Sequence, residues 1–272
     1  APAPTSSAFS DEPSGNVTKI ADKLETGQTD TQCFTYDWAQ RLKSAWTATD
    51  DCAAAPASGA SSTVGGPSPY WQSWTYDATG ARSTQVDHDT SGDTTKDATS
   101  SYTPVAAGAG PAHAVSQVNT VVSGDSTAST TASYTYDADG NALTRTTRTG
   151  TDTLTYNDEG DLSELSSTGS AGDTKYLYDA DGNLLIRHSP DATTLYTGDE
   201  EITLKSGATS ADGVRYISIA GETVGTHSSD GTFSYLIPDR QGTGTLQIDS
   251  QTQQVVRRQY KPFGETRDQS SG

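Results

Sequence analysis

Tyr176-Leu177-Tyr178-Asp179-Ala180-Asp181-Gly182-Asn183-Leu184-Leu185-Ile186-Arg187 reads as one β-hairpin. The two tyrosines stand two residues apart and so share a strand face. Asp179 ends the strand, because its side chain can bond backbone amides two residues on. Gly182 supplies the positive φ of the turn, and Asn183 tolerates the same region. Leu184 and Ile186 then share a face of the return strand.

The unit recurs. Phe34-Thr35-Tyr36-Asp37, Trp74-Thr75-Tyr76-Asp77, Tyr134-Thr135-Tyr136-Asp137 and Leu154-Thr155-Tyr156-Asn157 carry the same pattern. Gly80, Gly140, Gly160 and Gly182 follow the Asp or Asn by three residues, and Asn141 repeats the role of Asn183. Tyr36, Tyr76, Tyr136, Tyr156 and Tyr178 are separated by 40, 60, 20 and 22 residues, close to multiples of one unit. About 20 residues hold two strands of ~6 and two turns. A fixed period of this size signals a repeat architecture. The fold class is therefore all-β, an array of antiparallel hairpins forming a curved sheet or partial shell. Alternation places Tyr134 with Tyr136, Leu154 with Tyr156 and Tyr176 with Tyr178 on one face, as aromatic ladders with core character. Each phenol then needs a partner, which the neighbouring repeat's backbone or Asp can supply. Thr135 and Thr155 face water.

Trp38, Leu42 and Trp46 alone would read as a helix, at i, i+4 and i+8. The repeat instead assigns Asp37 to Gln40 to a turn and Leu42 to Trp46 to a return strand. Residues 53–69 and 87–131 are rich in Ala, Ser, Thr, Asp, Gly and Pro and read as loop-rich, although two degenerate repeats fit the second stretch. The expected organisation is a flexible segment 1–14, an array 15–192, a distinct β region 193–265 and a flexible tail 266–272.

Composition limits function. The net charge of −18 and pI near 4.3 disfavour nucleic acid and anionic membranes. The longest compact apolar run, Leu184-Leu185-Ile186, is far short of the ~20 residues that span a bilayer. The opening Ala1-Pro2-Ala3-Pro4 fits either a processed end or a cut in a longer chain. Aliphatics are sparse, but 13 Tyr and 4 Trp can supply buried area instead. Cys33 and Cys52 read as a structural disulfide of a secreted protein, with free thiols as the alternative. Closing that loop contributes roughly 3 kcal/mol in the chain-entropy model.

Tyr-Asp-Ala-Asp-Gly-Asn at 136–141 and 178–183 resembles the YD-repeat unit of RHS proteins, wall-associated repeat proteins and teneurins. Asp239-Arg240-Gln241-Gly242 and Tyr260-Lys261-Pro262-Phe263-Gly264-Glu265 resemble motifs of the RHS-associated core, with Asp239, Gly242, Tyr260, Pro262, Phe263 and Gly264 as its matching positions. The acidic, Thr-rich style is similar to actinobacterial members. The resemblance implies a β-ribbon that spirals into a hollow shell, a core region over 193–265 that closes one end, and a C-terminal toxin domain, absent from this chain, held inside. The self-cleaving segment of such proteins is also absent.

No catalytic constellation is legible. His88, His113, His188 and His227 share no ligand spacing and read as surface loop or strand residues. No Gly-x-Ser-x-Gly elbow occurs. The Asp-x-Asp-Gly-Asn runs lack the acid at position 12 of a calcium loop, where Arg148 and Pro190 stand. No enzyme activity, cofactor or metal is expected. Two functions compete: a structural segment of a secreted toxin-delivery shell, and an adhesion or glycan-binding module using Trp38, Trp46, Trp71 and Trp74 as stacking platforms on a glycan or cell-surface partner. Core packing is the favoured use of those tryptophans.

Overall fold

A computed structural model describes residues 6–57, 63–169, 172–239 and 242–267. Among them are twenty-one strands and one short 3-10 turn. The chain divides into two compact units, one running to Ala132 and taking in the segment from Gln259, the other Ser133–Arg258.

In the first unit the strands are β1 (Ser6–Asp11), β2 (Val17–Lys23), β3 (Thr29–Tyr36), β4 (Leu42–Thr47), β5 (Trp71–Tyr76), β6 (Arg82–Asp87), β7 (Ala98–Pro104) and β8 (Val115–Val122). Each pairs antiparallel with the next. β9 (Asp125–Tyr136) follows. The second unit holds β10 (Ala142–Thr147), β11 (Gly150–Tyr156), β12 (Leu162–Ser167), β13 (Thr174–Tyr178), β14 (Leu184–His188), β15 (Ala192–Tyr196) and β16 (Glu200–Lys205). It continues with β17 (Asp212–Ile219), β18 (Glu222–Ser228), β19 (Phe233–Pro238), β20 (Gly244–Asp249) and β21 (Val255–Arg257). Successive pairing from the end of β9 onward is again antiparallel.

Two stretches are more ordered than their composition implied. Residues 87–131, expected to be loop-rich, contain β7, β8 and the first part of β9. Of residues 1–14, expected to be a flexible lead-in, residues 1–5 lie outside the described residues, and the rest contain β1, paired to β2.

The turn chemistry repeats atom for atom. Asp179 N donates to Asn183 O at 2.9 Å, and Gly182 N donates to Asp179 O at 3.1 Å. Asp179 Oδ1 accepts from Asp181 N and Asn183 N, both at 2.9 Å. Asp37, Asp77, Asp137 and Asn157 do the same for their turns. The glycine sits at φ 80–95°, from Gly182 to Gly140. In the first repeat Gln40 takes this position at φ 61°. The register slips by one residue just before each turn, as at Tyr178 opposite Leu184, the bulge of a three-residue hairpin loop.

These bonds hold the turn carboxyls below the ordinary aspartate value of 3.8. The first cause is the Arg41 side chain for Asp37, the Thr79 hydroxyl for Asp77, the Asn141 side chain for Asp137 and the Asn183 amide for Asp179. A depressed folded value means the stabilisation is complete above the unfolded value. It is lost as pH falls from 3.8 through the folded values. Urea midpoints are expected to hold steady down to about pH 5 and to drop below about pH 4.

Four of the tyrosines before a turn are seen to reach back one hairpin. Tyr36 Oη donates to Val17 O at 2.8 Å, Tyr76 to Leu42 O at 2.7 Å, Tyr156 to Ala142 O and Tyr178 to Leu162 O, both at 3.0 Å. The acceptor is always at or next to the first residue of the preceding return strand. Burial is the first cause that pushes the Tyr36, Tyr76 and Tyr178 phenols up, which keeps them donors. The rings are half-buried, short of the core burial expected for a ladder, while Thr135 and Thr155 are exposed. Tyr178→Phe is expected to cost about 1 kcal/mol in denaturant unfolding, the worth of one such bond.

Dense packing lies in the first unit. Cys33, Trp46, Ala48, Val64 and Trp71 form one buried cluster, joined by Cys52. Ala45, Tyr70 and Trp74 form another, with Phe34, Leu42 and Tyr76 against it. Strand alternation places the two on opposite faces of the same hairpins. Cys33 and Cys52 are disulfide-bonded, with Cα atoms 5.7 Å apart. Trp38, at a turn tip, is 92% exposed, so core packing does not account for it.

Candidate functional site

The Tyr260–Glu265 motif repeats the hairpin turn without its aspartate. Lys261 N donates to Glu265 O at 2.7 Å, and Gly264 N donates to Lys261 O at 3.0 Å. Gly264 has φ 89°, and Tyr260 bridges to Thr266. Pro262 presets φ at the second position of the turn. This leaves Phe263 at the tip. Its ring meets Trp74 edge-on at 5.2 Å, with the Arg82 guanidinium 4.7 Å above its centre. Lys261 Nζ bonds Glu265 at 2.9 Å and reaches Asp87 at 3.5 Å.

Beyond the turn, Arg267 forms a buried ion pair. Arg267 Nη1 and Nη2 donate to Asp30 Oδ2 and Oδ1, both at 2.8 Å, a two-pronged fit. Both side chains are 1% exposed. Arg267 Nε donates to Ser68 O at 2.9 Å, and Nη2 bonds the same carbonyl. Gln259 Nε2 donates to Asp30 Oδ2 at 3.1 Å. The guanidinium lies 5.1 Å over the ring of Tyr70, whose phenol is pushed up by burial. The described part of residues 266–272, expected to be a flexible tail, thus includes a cation whose side chain is 1% exposed. The remaining tail residues, 268–272, lie outside the described residues.

The other core motif positions lie elsewhere. Asp239 and Gly242 form a repeat-type turn in the second unit: Gly242 N donates to Asp239 O at 3.1 Å, and Thr243 N to Asp239 Oδ1 at 2.9 Å. Arg240 and Gln241 lie outside the described residues. The structure does not bring Asp239 and Gly242 into one unit with Tyr260, Pro262, Phe263 and Gly264. The Asp137 and Asp179 carboxylates accept from turn amides and from Asn141 and Asn183 Nδ2.

A cluster that sequence reasoning missed joins β5 to the segment between β6 and β7. Ser73 Oγ is 2.8 Å from His88 Nε2, and His88 Nδ1 is 2.9 Å from Asp97 Oδ2. The His88 ring stacks on Trp71 at 3.8 Å and 22°. His88, expected as a surface residue, is largely buried. Nothing in the spacing of a serine, a histidine and an aspartate among so many would have selected them.

No helix among the described residues is long and apolar enough to cross a membrane. No family model matches the chain, and no curated protein matches it. Solved structures do. A Photorhabdus luminescens Tc holotoxin pore carrying a TccC3 mutation is 16% identical, with TM-score 0.58 over 97% of this chain and 14% of that one. A TcdB2–TccC3–Cdc42 structure is 14% identical, with TM-score 0.58 over 97% and 15%. TcdB2–TccC3 without its hypervariable C-terminal region is 15% identical, with TM-score 0.57 over 97% and 15%. The chain therefore spans about one seventh of those chains. What the likeness shows is a shared fold, and it supports an RHS- or YD-repeat array.

Proposed function

We propose that the chain is a structural segment of a secreted RHS/YD-repeat protein, forming part of a curved β-shell that encloses or displays a C-terminal toxin in intercellular competition. The observation that carries this reading is the fold likeness to Tc toxin chains across 97% of the sequence. The docked 259–267 segment agrees with it, since a core region that closes the array must be anchored to earlier hairpins. In this reading the role rests on the β-array, not on turnover of a substrate. The disulfide and the acidic surface fit an extracellular setting. Limited proteolysis of the full natural gene product tests it. A domain following residue 272 should resist protease while attached and become sensitive once Arg267→Ala loosens the docked segment. Equal sensitivity in both forms would reject enclosure.

Trp38 favours a second reading, adhesion to glycans. An indole 92% exposed at a turn tip is a ready stacking platform. Binding on a glycan array that disappears in Trp38→Ala would move this reading ahead.

A further inference from the structure

We propose that Ser73 is an activated nucleophile, with His88 as its general base and Asp97 as the residue that positions the imidazole, able to take an acyl group from an uncharged activated ester. This goes beyond the structural role proposed above and does not rest on it.

The proton positions follow from the partners. A carboxylate offers only acceptors, so the 2.9 Å contact to Asp97 Oδ2 puts the proton on His88 Nδ1. In the neutral ring Nε2 is then the acceptor, and at 2.8 Å the Ser73 hydroxyl must be the donor. That is the arrangement in which an imidazole can draw a proton from an attacking hydroxyl. Each member is held from behind. Asp97 Oδ1 accepts from Asp89 N at 2.9 Å. Trp71 stacks on the His88 ring, and His88 N donates to Trp71 O at 2.9 Å. The His88 and Asp97 side chains are 12% and 14% exposed, and Ser73 is half-buried like them.

The surroundings select the acyl donor. Ser73 lies opposite Ser44 on β4 and Val86 on β6, and Trp71 precedes it on the same face. An indole and a valine beside the hydroxyl suit a short acyl or aryl group. Asp89, Asp93 and Asp97 in the adjoining segment repel anions, so the donor is uncharged. In the step, Ser73 Oγ bonds the carbonyl carbon and its proton moves to His88 Nε2. The bond to the leaving oxygen then breaks as that oxygen takes the proton from Nε2. Charge and atoms balance, and no redox partner enters.

The test uses the whole chain with its disulfide intact and a fluorophosphonate probe, in which phosphorus replaces the carbonyl carbon. Peptide mass mapping should place the label on Ser73 at a rate about 100-fold above other serines, the lower range for general-base assistance. Ser73→Ala should abolish it. His88→Ala should return the rate to background, and added imidazole should restore it. Asp97→Asn should slow labelling at an unchanged unfolding temperature. It should also displace the His88 Nδ1 proton resonance, a signal that loss of packing alone would not move. Label scattered over serines at background rate, or Ser73 labelling indifferent to His88→Ala, overturns the proposal.

Discussion

Arg267→Ala is expected to lower the unfolding free energy of the first unit by about 3–5 kcal/mol. The guanidinium itself adds little net energy, because removing two charges from water cancels much of their attraction. What the substitution exposes is the partner left behind. Asp30 is 1% exposed and would keep Gln259 as its remaining bonded side chain. Ser68 O would lose its Arg267 donors. An uncompensated buried carboxylate is the costly species. The cost should therefore shrink sharply when both partners go together. Asp30→Leu with Arg267→Met should be much closer to wild type than Arg267→Ala alone, a departure from additivity that marks direct contact. Urea titration of the singles and the double checks it. A single-variant cost under about 1 kcal/mol would mean that the pair is not buried in solution.

Trp74→Ala should cost a similar 3–5 kcal/mol, for a different reason. Trp74 is 3% exposed, packed with Ala45 and Tyr70 beneath and Phe263 at its edge. Its Nε1 donates to Gln85 Oε1 at 3.1 Å, but that oxygen also accepts from Arg82 Nη1 at 2.9 Å. The polar loss is thus partly covered, and the cavity dominates. Trp38→Ala is the matched control. At 92% exposure it should change stability by less than ~0.5 kcal/mol, so the same substitution separates a core indole from a surface one. Thermal or urea unfolding of the two variants side by side gives the comparison.

The legible part of this fold is the local part. Asp179, Gly182 and Asn183 announce their turn because the bonds that make it join residues at most four apart. The same holds at Asp37, where the repeat correctly overrode the helical spacing of Trp38, Leu42 and Trp46. The Cys33–Cys52 bridge was legible from compartment logic and from two cysteines flanking one turn. β7 and β8 were hidden because their exposed faces are written in Ser, Thr and Asn, the vocabulary of loops. Tyr176 and Tyr178 were placed on the right face but given too much burial. Arg267 could not be found by any local rule: its partner lies 237 residues earlier. Ser73, His88 and Asp97 escaped because their meeting depends on the path of the segment after β6, which no periodicity encodes.

That separation of 237 residues also sets a schedule. A ribosome adding about 5–20 residues per second delivers Arg267 roughly 10–50 s after Asp30. Through that interval the hairpins around β3 hold a carboxylate with no cation to receive it, so Asp30 must stay wet and the core beside Tyr70 must stay ajar. The hairpins around β3 are made well before Arg267 and are sealed only when it arrives. A nascent chain arrested before residue 267 should expose this region to protease, and synthesis past Arg267 should close it.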